Sequence, residues 1–113
     1  MTAIALISGT IFRGPDQRTT KTGSAFVTLT LKVANGAAFD FWRVAVFDEE
    51  VQGEVAELTK GDSVSFVGRL TVEVYRKDGG EPRVSLSLTA DRALSLKKLS
   101  RRRDEYRNEG AHP

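Results

Sequence analysis

Apolar and polar residues alternate with a period of two along most of this chain, the spacing of strands that bury one face. Ile4, Leu6 and Ser8 alternate with Ala5, Ile7 and Gly9, and the run continues through Thr10, Ile11 and Phe12 to Arg13. Gly14-Pro15-Asp16 is expected to end this first strand, because proline cannot donate to a ladder and Gly and Asp accept turn geometry. The clearest alternation runs from Phe26 to Val33: Val27, Leu29, Leu31 and Val33 on one face, Phe26, Thr28, Thr30 and Lys32 on the other. Asn35-Gly36 is a turn signal. In the third run Phe39, Phe41, Arg43, Ala45 and Phe47 share one face, and Asp40, Trp42, Val44 and Val46 the other.

From Asp48 to Leu58 the period changes. Val51, Val55 and Leu58 are spaced by four and three, as a one-sided helix requires. Asp48 is placed to cap it, with Glu49 and Glu50 in the first turn, where the helix dipole favours negative charge. Lys60-Gly61-Asp62 then reads as a tight turn into a long strand, Ser63 to Tyr75. That strand puts Val64, Phe66, Gly68, Leu70, Val72 and Val74 on one face, with Arg69 and Tyr75 on the other. Lys77-Asp78-Gly79-Gly80 reads as a hairpin tip before the last strand, Arg83 to Leu96. Three strands, one short helix and a two-stranded hairpin predict an all-β fold. It is the five-stranded OB-fold Greek-key barrel with the helix between strands three and four.

Composition and charge narrow the function. At 113 residues there is room for one domain, expected over residues 1–96, and a short tail over 97–113. No cysteine is present, and the single histidine, His112, is next to the last residue, so neither a zinc-thiolate nor a His-based centre is expected. No nucleophile elbow, phosphate-binding Gly-rich loop or His-Glu helix motif occurs, and neither an enzyme nor a cofactor is expected. There is no signal-peptide pattern and no apolar window of membrane-spanning length, which favours the cytoplasm. The net charge of +2 is uneven: residues 1–96 hold 11 Lys/Arg against 12 Asp/Glu, and residues 97–113 hold 6 against 3. The basic tail fits either a phosphate contact or a solvated end.

Strand-borne rings beside cations are the sharpest chemical hint. Aromatic side chains on an open sheet give π-surfaces for bases, and adjacent Arg or Lys neutralise phosphates. Phe41, Arg43 and Phe47 share a face on strand three; Arg69 and Tyr75 share the outer face of strand four. Lys32 on strand two and Arg76 after strand four are the further basic candidates. For Phe41, Phe47 and Tyr75 the pattern alone leaves base stacking and core filling open. Phe26, Phe39 and Phe66 are expected to fill the barrel or a subunit contact, and Trp42 the core rim or a subunit interface. The acidic cluster Asp48, Glu49, Glu50, Glu54 and Glu57 reads as a solvated helix face.

Several segments together resemble the bacterial single-stranded DNA-binding protein family, over about residues 3–96. They are Ser8-Gly9-Thr10-Ile11, Gly23-Ser24-Ala25-Phe26-Val27-Thr28-Leu29-Thr30-Leu31 and Phe41-Trp42-Arg43-Val44-Ala45-Val46-Phe47. Leu58-Thr59-Lys60-Gly61-Asp62-Ser63-Val64 and Val67-Gly68-Arg69-Leu70 follow in the same order. The resemblance implies an OB-fold that forms a homo-oligomer, most often a tetramer, and wraps single strands in replication, recombination and repair. It also implies that Phe41 and Phe47 are the strand-three stacking aromatics, Tyr75 a strand-four one, Arg43 a basic neighbour and Trp42 a residue near the subunit interface. Two departures stand out. Asn108 to Pro113 is neither acidic nor aromatic, unlike the family's partner-recruiting end, and the segment Ala34 to Ala38 is short where the family often has a longer loop. Glu73 and Thr71 lower the positive charge near Tyr75, so weaker binding or a shorter footprint is expected. Two other readings stay open: a dimeric accessory OB protein of the primosomal type, and an OB scaffold whose rings contact only protein.

Overall fold

Alternation of β-branched and small polar residues gives long strands, and here five of them close on one another. The computed structural model describes residues 3–76 and 78–96. Lys77 of the expected hairpin tip and the basic tail 97–113 lie outside the described residues. The elements are β1 (Ala3–Thr19), β2 (Ala25–Asn35), β3 (Ala38–Val46), α1 (Glu49–Ala56), β4 (Ser63–Tyr75) and β5 (Arg83–Ser95). The strands form a closed barrel in the order β1-β2-β3-β5-β4, antiparallel except for the β3–β5 pair. This is the OB-fold topology that the order of elements predicts.

β1 differs from expectation. It runs through Gly14-Pro15, a cis peptide, to Thr19. The ladder absorbs the proline with register shifts between Ile11 and Arg13 and between Arg13 and Asp16. Gly14 has φ 85°, a left-handed conformation that glycine adopts without a Cβ clash. Bulges bend a strand, and β1 uses the bend to serve two neighbours. Residues Ala3 to Thr10 pair with β4, and Thr10 to Thr19 pair with β2. The extra length carries Arg13 and Arg18 onto the outer surface beside β2.

Ile7, Ile11, Val27, Leu29, Leu31, Val44, Val46, Val64, Phe66, Leu88 and Ala90 fill the interior, and Val51, Val55 and Leu58 of the α1 segment close it from one end. Asp48 Oδ1 accepts the Val51 backbone N–H at 3.1 Å, the expected cap. Gln52 Nε2 donates to the Ala25 and Phe47 carbonyls at 3.1 and 3.0 Å, tying the helix to the ends of β2 and β3. Where β4 crosses β5, a Cβ on Gly68 would overlap the Thr89 carbonyl oxygen, so the close approach requires glycine. The inward parity of β4 continues through Val72 and Val74, but past Leu70 none of the described residues covers it. Both are exposed, as is Val84 opposite Val74, and the β4–β5 hairpin leaves the barrel as an arm.

Phe66 is fully buried, as expected, but Phe26 and Phe39 are not core residues. Phe26 has the parity of Thr28 and Thr30, and Phe39 that of Phe41 and Arg43, so both project from the outside of the barrel. Phe39 is 54 % exposed. Strand parity outweighs the general tendency of a large ring to bury itself.

Candidate nucleic-acid interface

The outer faces of the second half of β1, β2 and β3 form one curved surface, and ladder register fixes who stands beside whom. Arg13 pairs with Thr30, and Thr30 with Arg43. One step along, Asp16 pairs with Thr28, and Thr28 with Ala45; on the other side of Arg43, Lys32 pairs with Phe41. Arg18 pairs with Phe26 at the far end. Neighbouring strands are about 4.8 Å apart, so each row brings its residues within reach of one small ligand group.

Two aromatic pairs stand at the ends of this surface. Phe12 and Phe41 meet edge to face, centroids 4.9 Å apart at 63°. Phe26 and Phe47 stack at 5.0 Å and 15°. Phe41 and Phe47 are both 48 % exposed, so each ring holds its partner with part of its surface and leaves the rest to solvent. Between the pairs lies an open recess of about 490 Å³ lined by Arg13, Arg18, Arg43, Thr28, Thr30 and the single acid Asp16.

Cations also stand over the rings. The Arg13 guanidinium is 5.5 Å and the Lys60 ammonium 5.7 Å from the Phe12 centroid, and the Lys32 ammonium is 4.1 Å from that of Phe39. Lys60 reaches this place because the loop after α1 is stitched to β1: Gly61 N–H donates to the Ile11 carbonyl at 2.8 Å and Ile11 N–H to the Asp62 carbonyl at 3.0 Å. Asp62 Oδ2 shapes that loop by accepting the Thr59 N–H at 2.8 Å. The resulting surface offers flat apolar faces, cations and hydroxyls, and can hold an anionic, ring-bearing chain without bonding chemistry. Among the described residues no group of three or more His, Cys, Asp or Glu is placed to hold a metal ion.

The structure brings Phe41, Arg43, Phe47 and Lys32 together on this face. Arg69 lies further round the barrel, two strands from Ala45 through Thr89. Tyr75 and Arg76 are apart from both: Tyr75 pairs with Arg83 on the β4–β5 arm, and Arg76 follows it, exposed. Trp42 points the other way from Phe41, partly buried against the core between Leu31 and Leu86, at the barrel rim. Sequence reading missed Phe12, Phe26, Phe39, Arg13, Arg18 and Lys60. Outward parity marks Phe26 and Phe39, but the other four owe their place to the bulged β1 and its stitched loop.

The comparisons with known proteins agree with this architecture. No curated protein sequence matches the chain. Among solved structures, the mitochondrial single-stranded DNA-binding protein Rim1 of S. cerevisiae superposes with TM-score 0.70 at 18 % identity, over 85 % of this chain and 96 % of that one. The small single-stranded DNA-binding protein of Streptomyces coelicolor gives TM-score 0.70 at 20 % identity, over 87 % and 98 %. A Plasmodium falciparum SSB complex with ssDNA gives 0.61 at 17 %, over 82 % and 93 %. At such identities the likeness shows the fold. The family model of the single-strand binding proteins matches residues 1–96, the whole barrel, and the chain therefore belongs to the single-strand binding protein family.

Proposed function

We propose that the chain binds single-stranded DNA, without sequence preference, along the outer face of β1, β2 and β3. The carrying observation is the pair of ring clusters, Phe12–Phe41 and Phe26–Phe47, flanking a recess lined by Arg13, Arg18 and Arg43. Every base has a π-face, so rings accept any sequence, while the arginines take the phosphates. Lys32 and Lys60 extend the cationic track, and Tyr75, Arg76 and Arg69 serve longer strands that pass round the barrel or along the arm. As a member of a family of DNA-binding proteins, the chain is not an enzyme. Replication, recombination and repair expose single strands, and those processes, in the cytoplasm, are where we place it.

The test is titration of a labelled oligothymidine at several salt concentrations. Binding should weaken steeply, with log K falling linearly in log salt as neutralised phosphates release counterions. No binding, or an affinity indifferent to salt, overturns the reading and favours a protein scaffold.

The same proposal includes a homo-oligomer. Ile4 and Leu6 of β1 are 75 % and 68 % exposed, and Leu6 pairs with exposed Val67 of β4. A strip of this kind, away from the ring face, suits a second copy, with Trp42 at the rim as the further interface candidate. Light scattering should give a tetramer, or a dimer if the chain is of the primosomal type. Leu6→Lys should lower the mass, and an unchanged mass would remove the strip from the interface.

A further inference from the structure

A second surface has the opposite charge. A recess of about 870 Å³ lies between α1, the first half of β1 and the β4–β5 crossing. Asp48, Glu50 and Glu54 line it from the helix, and Asp91 and Arg92 from β5. The floor is apolar: Leu6, Val51, Val67 and Leu94. Asp91 points here because the ladder slips between Val67 and Gly68, which pair with Arg92 and Ala90 and leave Asp91 as the extra residue. Four acids against one arginine give the recess a formal charge of −3.

The chain carries a complementary segment. Residues 97–113 hold six Lys/Arg against three Asp/Glu, a formal +3, with Lys97, Lys98 and Arg101 to Arg103 first in sequence after β5 and Leu99 among them. The described chain before it ends at Leu96, beside the recess. Ser95 and Leu96 line an adjoining hollow that shares Ser65 and Leu94 with it. Seven extended residues span up to about 23 Å, enough to cross such an opening. A short tether also gives its own segment an effective concentration of the order of millimolar, which a competing peptide in solution must exceed.

We propose that the basic segment beginning at Lys97 docks in the acidic recess of its own chain, and is thereby held off the nucleic-acid face. Its cations meet Glu50 and Asp91, and Leu99 the floor at Val51 and Leu94, leaving Leu6 and Val67 to the second copy. The docking itself does not depend on strand binding; the consequence for DNA rests on the function proposed above. A tail bound this way adds nothing to phosphate neutralisation.

The absence of cysteine makes the full chain suitable for disulfide trapping. Ser100→Cys is paired with Glu50→Cys in one protein and with Thr28→Cys, on the ring face, in a second. Both are equilibrated in glutathione buffers after circular dichroism shows the barrel intact, with Asp91→Cys replacing Glu50→Cys should that variant fail to fold. The expected result is an intrachain disulfide favoured at least about tenfold with Glu50→Cys, an advantage that about 1 M NaCl removes by screening. Equal trapping, preference for Thr28→Cys, or disulfides between chains overturns the proposal. In a second arm, a chain ending at Leu96 should keep the oligothymidine affinity and salt slope of the full chain. A slope lower by about two units or more would put the segment on DNA and overturn it. If neither chain binds the oligonucleotide, the proposed function fails, and the trapping experiment still decides the docking.

Discussion

Phe41 separates stacking from folding most sharply, because its ring serves both. About half of it is covered, with Phe12 against one edge, and the rest faces solvent. Full burial of a phenylalanine stabilises a fold by about 1.5–3 kcal/mol, so truncation of this half-covered ring costs about 1 kcal/mol. The edge-to-face contact adds about 0.5–1.5 kcal/mol. Phe41→Ala should therefore lower the unfolding free energy by about 1.5–2.5 kcal/mol, which a domain of ordinary stability survives. Phe41→Leu keeps most of the covered area and loses the π-face, so it should cost the fold less. Against DNA the two should behave alike. A base left without its ring forfeits about 1–3 kcal/mol, a rise in Kd of about 5- to 150-fold. Fluorescence anisotropy of a labelled oligothymidine reads the affinity. Urea unfolding followed by Trp42, the only tryptophan and one that points inward from the same strand, reads the stability. A folded Phe41→Leu protein that binds within about twofold of the parent would refute stacking at this ring.

Four further outcomes follow from the same geometry. Arg43→Ala should weaken binding and lower the log–log salt slope by about 0.7–1 unit, whereas an unchanged slope would take Arg43 off the phosphates. Tyr75→Ala should cost about 1–3 kcal/mol with oligonucleotides long enough to reach the arm and little with short ones; a length series shows whether the arm takes part. Gly68→Ala should destabilise the barrel by about 1–3 kcal/mol in urea unfolding, because its methyl group meets the Thr89 carbonyl. Asp48→Ala should cost about 0.5–2 kcal/mol by removing the acceptor for the Val51 N–H, with Asp48→Asn nearly neutral in the same measurement.

Much of this molecule was legible in one dimension. Period-two runs placed β2 to β5 and the inward residues of β2, β3 and the first half of β4, the four-and-three spacing of Val51, Val55 and Leu58 placed α1, and the order of elements selected the barrel. Parity also put Phe41, Arg43 and Phe47 on one outer face opposite Trp42, which is how β3 stands. Local rules suffice for these features, because side-chain direction along a strand depends only on residue number.

Other features needed the closed barrel. Gly14-Pro15 reads locally as the end of a strand, yet β1 continues, since its two edges are held by different neighbours and bulges accommodate the proline. Phe12, Arg13, Arg18 and Lys60 join the ring face only through that continuation and the Ile11–Gly61 stitch, contacts between residues far apart in sequence. Phe26 and Phe39 look like core by size, but their parity, already visible in the sequence, turns them outward. The sequence by itself determined which faces are apolar and where helix and strands lie, because those follow from local periodicity. Only the tertiary structure decided which rings and cations share a surface and which acids line a recess, because register and bulges are set by pairing across the barrel.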